Sequence, residues 1–151
     1  MTKRSILIIG IGNRFRTDDG VGPLVADRLG ALGFETLEMS GEGAGLINAF
    51  EEASTVIIVD AMRSGADLGT VRHFNAITEE LPTGLFAYSS HQFGLAEAVE
   101  TARTLNRLPK SLEIYAVEGT NFDYGETPSQ AVLDAADTVV ARIQASLSEG
   151  D

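Results

Sequence analysis

Ile6 to Ile9 are four consecutive aliphatic side chains that run directly into Gly10, Ile11, Gly12 and Asn13. A run without polar alternation belongs to a strand covered on both faces, as in a parallel sheet flanked by helices, and the glycines let the following loop bend sharply. Gly10 and Gly12 are expected to take backbone angles closed to other residues, with Asn13 the side chain best suited to a left-handed turn. The loop can then bring its backbone close to a ligand. It delivers Thr17, Asp18 and Asp19 ahead of Gly20, after which Val21, Leu24, Val25 and Leu29 recur at helical spacing. Two adjacent carboxylates thus stand where a strand hands over to a helix. They have two readings: a helix cap (Asp18) with a partner for the helix dipole (Asp19), or a chemical site. A dinucleotide fingerprint would need glycine where Phe15 stands, and no Gly-Lys pair follows for a P-loop.

The 151 residues, 44% of them hydrophobic, suffice for one domain with a sizeable core, and a single domain over 1–151 is expected. A formal charge of −11 opposes binding to nucleic acid or an anionic membrane surface and favours a basic peptide or protein partner. The absence of cysteine removes disulfides, thiolate metal sites and a cysteine nucleophile together. The first apolar run is far too short for a signal or membrane segment, so the protein is expected in the cytoplasm.

Further along, Phe34 to Met39 alternates as a half-buried strand, and a glycine-dense turn from Ser40 to Gly45 leads into a short helix from Leu46 to about Glu51. Thr55 to Val59 is a second buried strand, ending in Asp60. In an open α/β sheet, ligands collect beyond the carboxyl ends of the strands, which places Asp60 on the same edge as the Gly10–Asp19 loop. Gly69 to Phe74 is a short strand with His73 on its surface, and 76–88 is irregular. Ser89 and Gln92 have the form of a capping box, which sets His91 in the first turn of a helix, where the dipole favours the neutral imidazole able to bind a metal. Leu112 to Val117 is the last strand. Thr127 caps a final helix with Pro128 at its first position, and the helix carries one apolar stripe from Val132 to Leu147.

Gly10-Ile11-Gly12-Asn13 followed by Asp18-Asp19-Gly20-Val21-Gly22 resembles the N-terminal signature of the hydrogenase maturation proteases. Asp60 at a strand end and His91, Gly94 and Leu95 resemble that family's second and third signatures, in the same order. The resemblance implies an α/β/α sandwich of the phosphorylase/hydrolase-like kind, with a mixed, mostly parallel sheet of about five strands. It implies an endopeptidase that removes a C-terminal extension from the large-subunit precursor of a nickel-containing hydrogenase after nickel insertion. Asp19, Asp60 and His91 are then the catalytic and nickel-contacting residues, and Gly12, Asn13, Asp18 and Glu42 the substrate contacts. Ser40 and Gly43 stand where the family more often has aspartate and threonine, with Glu42 as a substitute for the former. Two carboxylates and an imidazole suit a borderline divalent ion but leave its shell incomplete, so the nickel is expected to arrive with the substrate, and no organic cofactor is expected. Two other readings stand beside this one. The first is a hydrolase of the same fold with its own bound ion; the second is a non-enzymatic nucleotide or phosphate binder at Gly10–Asn13, against which the paired aspartates argue by repulsion.

Overall fold

The computed structural model describes residues 4–82, 84–86, 93–125 and 127–149. Strands β1 (Arg4–Ile11), β2 (Thr36–Met39), β3 (Ala53–Met62), β4 (Val71–Asn75) and β5 (Ser111–Glu118) form a sheet in the order β2-β1-β3-β5-β4. All neighbours run parallel except β4, which lies antiparallel to β5 at one edge. Among the described residues, α1 (Val21–Ala31) joins β1 to β2, α2 (Gly43–Phe50) lies between β2 and β3, α3 (Leu95–Thr104) between β4 and β5, and α4 (Gln130–Glu149) follows β5. This is the mixed, mostly parallel α/β/α sandwich that the sequence led us to expect.

The unbroken apolar runs follow from burial on both faces. Leu7, Ile9 and Ile11 of β1 pack with Val56, Ile58 and Met62 of β3 into one core beneath α2 and α3. Ile8 of β1 and Ile57, Val59 and Ala61 of β3 join a second core beneath α1 and α4. Each fully buried aliphatic side chain contributes roughly 1.5–3 kcal/mol through removal from water. The two central strands therefore anchor both layers at once, and the site grows from their carboxyl ends.

The glycines of the first loop work in two different ways. Gly12 has φ 140°, a conformation that only glycine adopts without strain. Gly10 is ordinary strand, contrary to expectation, and its role is close approach: an added Cβ would lie 2.3 Å from the Gly22 carbonyl oxygen of α1. A Cβ on Gly22 would in turn lie 2.3 Å from the Ile11 carbonyl oxygen and 2.5 Å from that of Val59. The start of α1 thus rests directly on the backbones of β1 and β3. The left-handed non-glycine residue of this loop is Thr17 (φ 53°), not Asn13. Its hydroxyl donates to the Asp123 carbonyl at 2.6 Å and its N–H to that of Gly125 at 2.8 Å, bonds that hold the unusual conformation.

Several boundaries differ from the sequence reading. β3 continues past Asp60 to Met62 because Ala61 and Met62 still pair with Val117 and Glu118 of β5. α2 starts at Gly43, three residues early, since the Glu42 carboxylate caps it by accepting from Ala44 N–H at 2.7 Å and Gly45 N–H at 3.0 Å. α3 starts at Leu95, with Glu97 accepting from Gly94 N–H at 2.9 Å. The expected cap and first turn, Ser89 to Gln92, lie outside the described residues. α4 begins at Gln130 after Ser129 rather than at Pro128. His73 lies on β4, stacked on Tyr115 with ring centroids 4.6 Å apart.

Replacing Gly22 with alanine should therefore force α1 away from two strand backbones. We expect a loss of about 1–3 kcal/mol or more, measured as a lowered urea midpoint at unchanged slope.

Candidate active site

Asp19 ends up at the carboxyl edge of the sheet because the loop after β1 folds back around it. Gly12 N–H donates to the Met39 carbonyl at 3.0 Å, tying the loop to β2. Asn13 N–H donates to Asp19 Oδ2 at 2.8 Å, and the Asn13 side-chain oxygen accepts from Phe15 N–H at 2.9 Å. A Cβ on Gly12 would lie 2.0 Å from the Asp19 carbonyl oxygen, so only glycine allows this wrap. Burial raises the Asp19 carboxyl above its ordinary value, opposed by the Asn13 bond and the Arg16 charge. The Gly12 and Asn13 amides are thereby spent within the chain and form no cradle for a phosphate.

Asp60 reaches the same edge from β3. Gly10 pairs with Val59, so Asp60 stands level with the end of β1, and it is 7% exposed. Its carboxyl is pushed well above the ordinary range, first by burial and then by the negative charge of Asp19, with the Ala61 N–H opposing. Two carboxylates sharing a poorly solvated space repel one another, and either a proton on one of them or a cation beside both relieves the repulsion. As donors they fit a hard or borderline divalent ion. Among the described residues no group of three His, Cys, Asp or Glu side chains completes a metal site. His91, the third residue expected there, lies outside the described residues.

Asp18 and Glu42 have other work than the substrate contacts expected of them. Asp18 is fully buried, and its carboxylate accepts from Thr120 N–H (2.9 Å), Asn121 N–H (3.0 Å), Ser129 N–H (2.8 Å) and Ser129 Oγ (2.7 Å). Burial alone would raise its pKa, but the hydrogen bonds from Asn121, Ser129 and Thr120 outweigh it and hold the carboxyl below its ordinary value. It does not cap α1 either. A side chain enclosed by its own chain is not open to a substrate; Asp18 is a clamp between the turn carrying Asp19 and the segment that starts α4. Glu42 is exposed and caps α2, as described above. Glu118, 1% exposed, went unremarked in the sequence, although it ends a strand much as Asp60 was expected to. It accepts from Ser64 N–H at 3.0 Å, Ser64 Oγ at 2.6 Å and Gly65 N–H at 3.2 Å, and so fastens the loop after β3.

An α/β/α sandwich with coupled carboxylates at the carboxyl ends of adjacent parallel strands defines a hydrolase-like scaffold with its site at the sheet edge. The sequence model described as hydrogenase maturation protease matches residues 37–146. The chain is 31% identical to the hydrogenase expression/formation protein HupD of Bradyrhizobium diazoefficiens, over 85% of this chain and 70% of that protein. It is 29% identical to the hydrogenase 2 maturation protease of Escherichia coli, over 93% of this chain and 92% of that protein. The solved hydrogenase maturating endopeptidase HybD from E. coli has a similar fold, with a TM-score of 0.75 at 21% identity over 97% of this chain and 93% of that one. The protein belongs to the hydrogenase maturation protease family and is a peptidase.

Two substitutions separate clamp from site. Asp18→Asn presents an amide to N–H groups that now meet a carboxylate, so at least one buried donor goes unmet at about 1–3 kcal/mol. Its thermal midpoint should fall at neutral pH. Because the Asp18 pKa is depressed in the fold, the stability it contributes is present above its ordinary pKa and lost as pH falls through the folded value. The gap between variant and wild type should therefore close in acid.

Asp60→Asn should do the opposite. A carboxyl whose folded pKa is raised contributes stability only below its ordinary value and loses it as pH rises through the folded one. The variant should therefore melt higher than wild type at neutral pH, with the gain vanishing toward about pH 4. Thermal melts across the pH range check both signs.

Proposed function

We propose that the protein removes a C-terminal extension from the large-subunit precursor of a nickel-containing hydrogenase, and that the nickel ion comes as part of the substrate. The observation that carries this reading is the placing of half-buried Asp19 with buried Asp60 at the sheet edge, where the negative charge of Asp19 adds to burial in raising the Asp60 carboxyl. Such a pair is poorly satisfied by itself and is complementary to a cation presented by a partner. With His91 as third donor, the set stays short of a full shell, and the precursor's own ligands make up the remainder. Binding and recognition of the metal thus become one event, and a precursor without nickel lacks the group that satisfies the pair.

Each residue then has a defined task. Asn13 N–H fixes the orientation of Asp19 before substrate arrives, so little reorganisation is needed. When present, the ion polarises the scissile carbonyl as a Lewis acid. A carboxylate of the pair takes the proton from the attacking water and returns one to the departing amine, for which the raised proton affinity of Asp60 is suited. No serine, threonine or cysteine nucleophile is invoked. We place the reaction in the cytoplasm; among the described residues no helix is long and apolar enough to cross a membrane.

The test offers the purified enzyme nickel-loaded precursor, nickel-free precursor and a free peptide spanning the cleavage site. Only the first should be cut, and Asp60→Asn and His91→Ala should each abolish cutting in enzymes that remain folded. Efficient cleavage of the free peptide would remove nickel as the recognition element. Stoichiometric metal in the resting enzyme would favour a hydrolase with its own ion.

A further inference from the structure

Among the described residues the large apolar side chains exposed at the surface are the aromatic Phe15, Phe93 and Tyr124 and the leucines Leu32, Leu68 and Leu105. Phe93 has a seat against Gly43, where its ring occupies the place a Cβ would take. Phe15 (55% exposed) and Tyr124 (79% exposed) instead project from a platform built by backbone pairing. Phe15 lies in the loop that carries Asp19, and Tyr124 belongs to the segment that Asp18 clamps. The two stretches are joined by an Arg16–Gly125 bridge, with Gly125 N–H donating to the Phe15 carbonyl at 2.8 Å and Thr17 N–H to that of Gly125 at 2.8 Å. The Arg16 guanidinium covers the Tyr124 ring at 4.5 Å from its centroid, holding it in one orientation.

Rings kept in water on a rigid support, next to a reaction site, have the composition and preorganisation of an anchor for a partner. We propose that Phe15 and Tyr124 dock the stretch of the precursor that flanks the scissile bond, through apolar side chains of that stretch. This deepens the endopeptidase reading and rests on it. Phe15 and Asp19 are four residues apart, so their Cα atoms are separated by at most about 14 Å, a span that an extended peptide crosses in about four or five residues. The docked side chains therefore lie within about five residues of the cleaved bond. Continuity with the site selects this occupant, and the net charge of −11 argues against a nucleic acid or an anionic membrane on the same face.

The experiment measures processing of nickel-loaded precursor at graded concentrations by Phe15→Ala, Tyr124→Ala, the double variant and Tyr124→Phe. It adds direct binding of the precursor by surface plasmon resonance and sedimentation of each enzyme. We expect the double variant to raise KM and Kd on the order of tenfold or more at unchanged kcat and unchanged thermal midpoint, and Tyr124→Phe to match wild type. Unchanged KM and Kd in the double variant would overturn the proposal. So would a fall in kcat at constant KM, which means that the loop only places Asp19. A change in self-association without a change in precursor binding would assign the rings to a second copy of the chain and overturn it too. An enzyme that binds the precursor through these rings yet cuts nothing refutes the endopeptidase reading while upholding the docking surface.

Discussion

The Asp18 carboxylate is the interaction on which the geometry of the site depends. It is a buried anion fully supplied with donors, all from residues more than a hundred positions later in the chain. A carboxylate is costly to desolvate, and only such a complete set of hydrogen bonds makes its burial favourable. Because Asp18 precedes Asp19 directly, the clamp that fastens the segment before α4 also sets the position of the Asp19 carboxylate. The same bonds fix Ser129, the residue before α4, and with it one side of the second core.

The adjacent aspartates therefore divide two opposed electrostatic tasks. Asp18 is buried and satisfied, which lowers its pKa and ties up its oxygens; Asp60 is buried and poorly satisfied, Asp19 is half-buried with a hydrogen bond from Asn13, and both of these carboxyls are raised. The first arrangement stabilises the fold, whereas the second leaves an unfavourable electrostatic interaction at the sheet edge, at a cost that the clamp and the two cores offset.

Most of the architecture was legible because burial on both faces leaves a direct trace. The runs Ile6–Ile9 and Thr55–Val59 locate β1 and β3, and the parallel-sheet rule places Asp19 and Asp60 at one edge. What escaped was set by partners distant in sequence. Asp18 looks like a helix cap until its donors at Thr120, Asn121 and Ser129 are known, and Gly10 looks like a turn residue until α1 is found against its backbone. The capping signal at Thr127 misled, since the approach to α4 is fixed by Asp18, and the one at Ser89 lies outside the described residues. Glu42 stands as a substitute for the aspartate more common in the family, and the structure gives it a local task as the cap of α2. Of the three residues singled out for metal contact, the position of His91 does not follow from the described residues.

The close contact of α1 with the strands connects these elements. With glycine at 10 and 22, the helix axis approaches the sheet more nearly than any side chain would permit, and the short turn Thr17–Gly20 must bridge what little distance remains. A turn so short has few conformations, and Thr17 is already forced into a left-handed one. Its orientation is consequently decided by the hydrogen bonds at its ends: the pairing of Thr17 with Asp123 and Gly125, and the Asp18 clamp. Substitutions in the segment 120–129, remote from the carboxylates in sequence, thus act on Asp19 through the backbone of this turn. The chemistry resides at the sheet edge, but its precision comes from glycine packing beneath it and from one buried anion beside it.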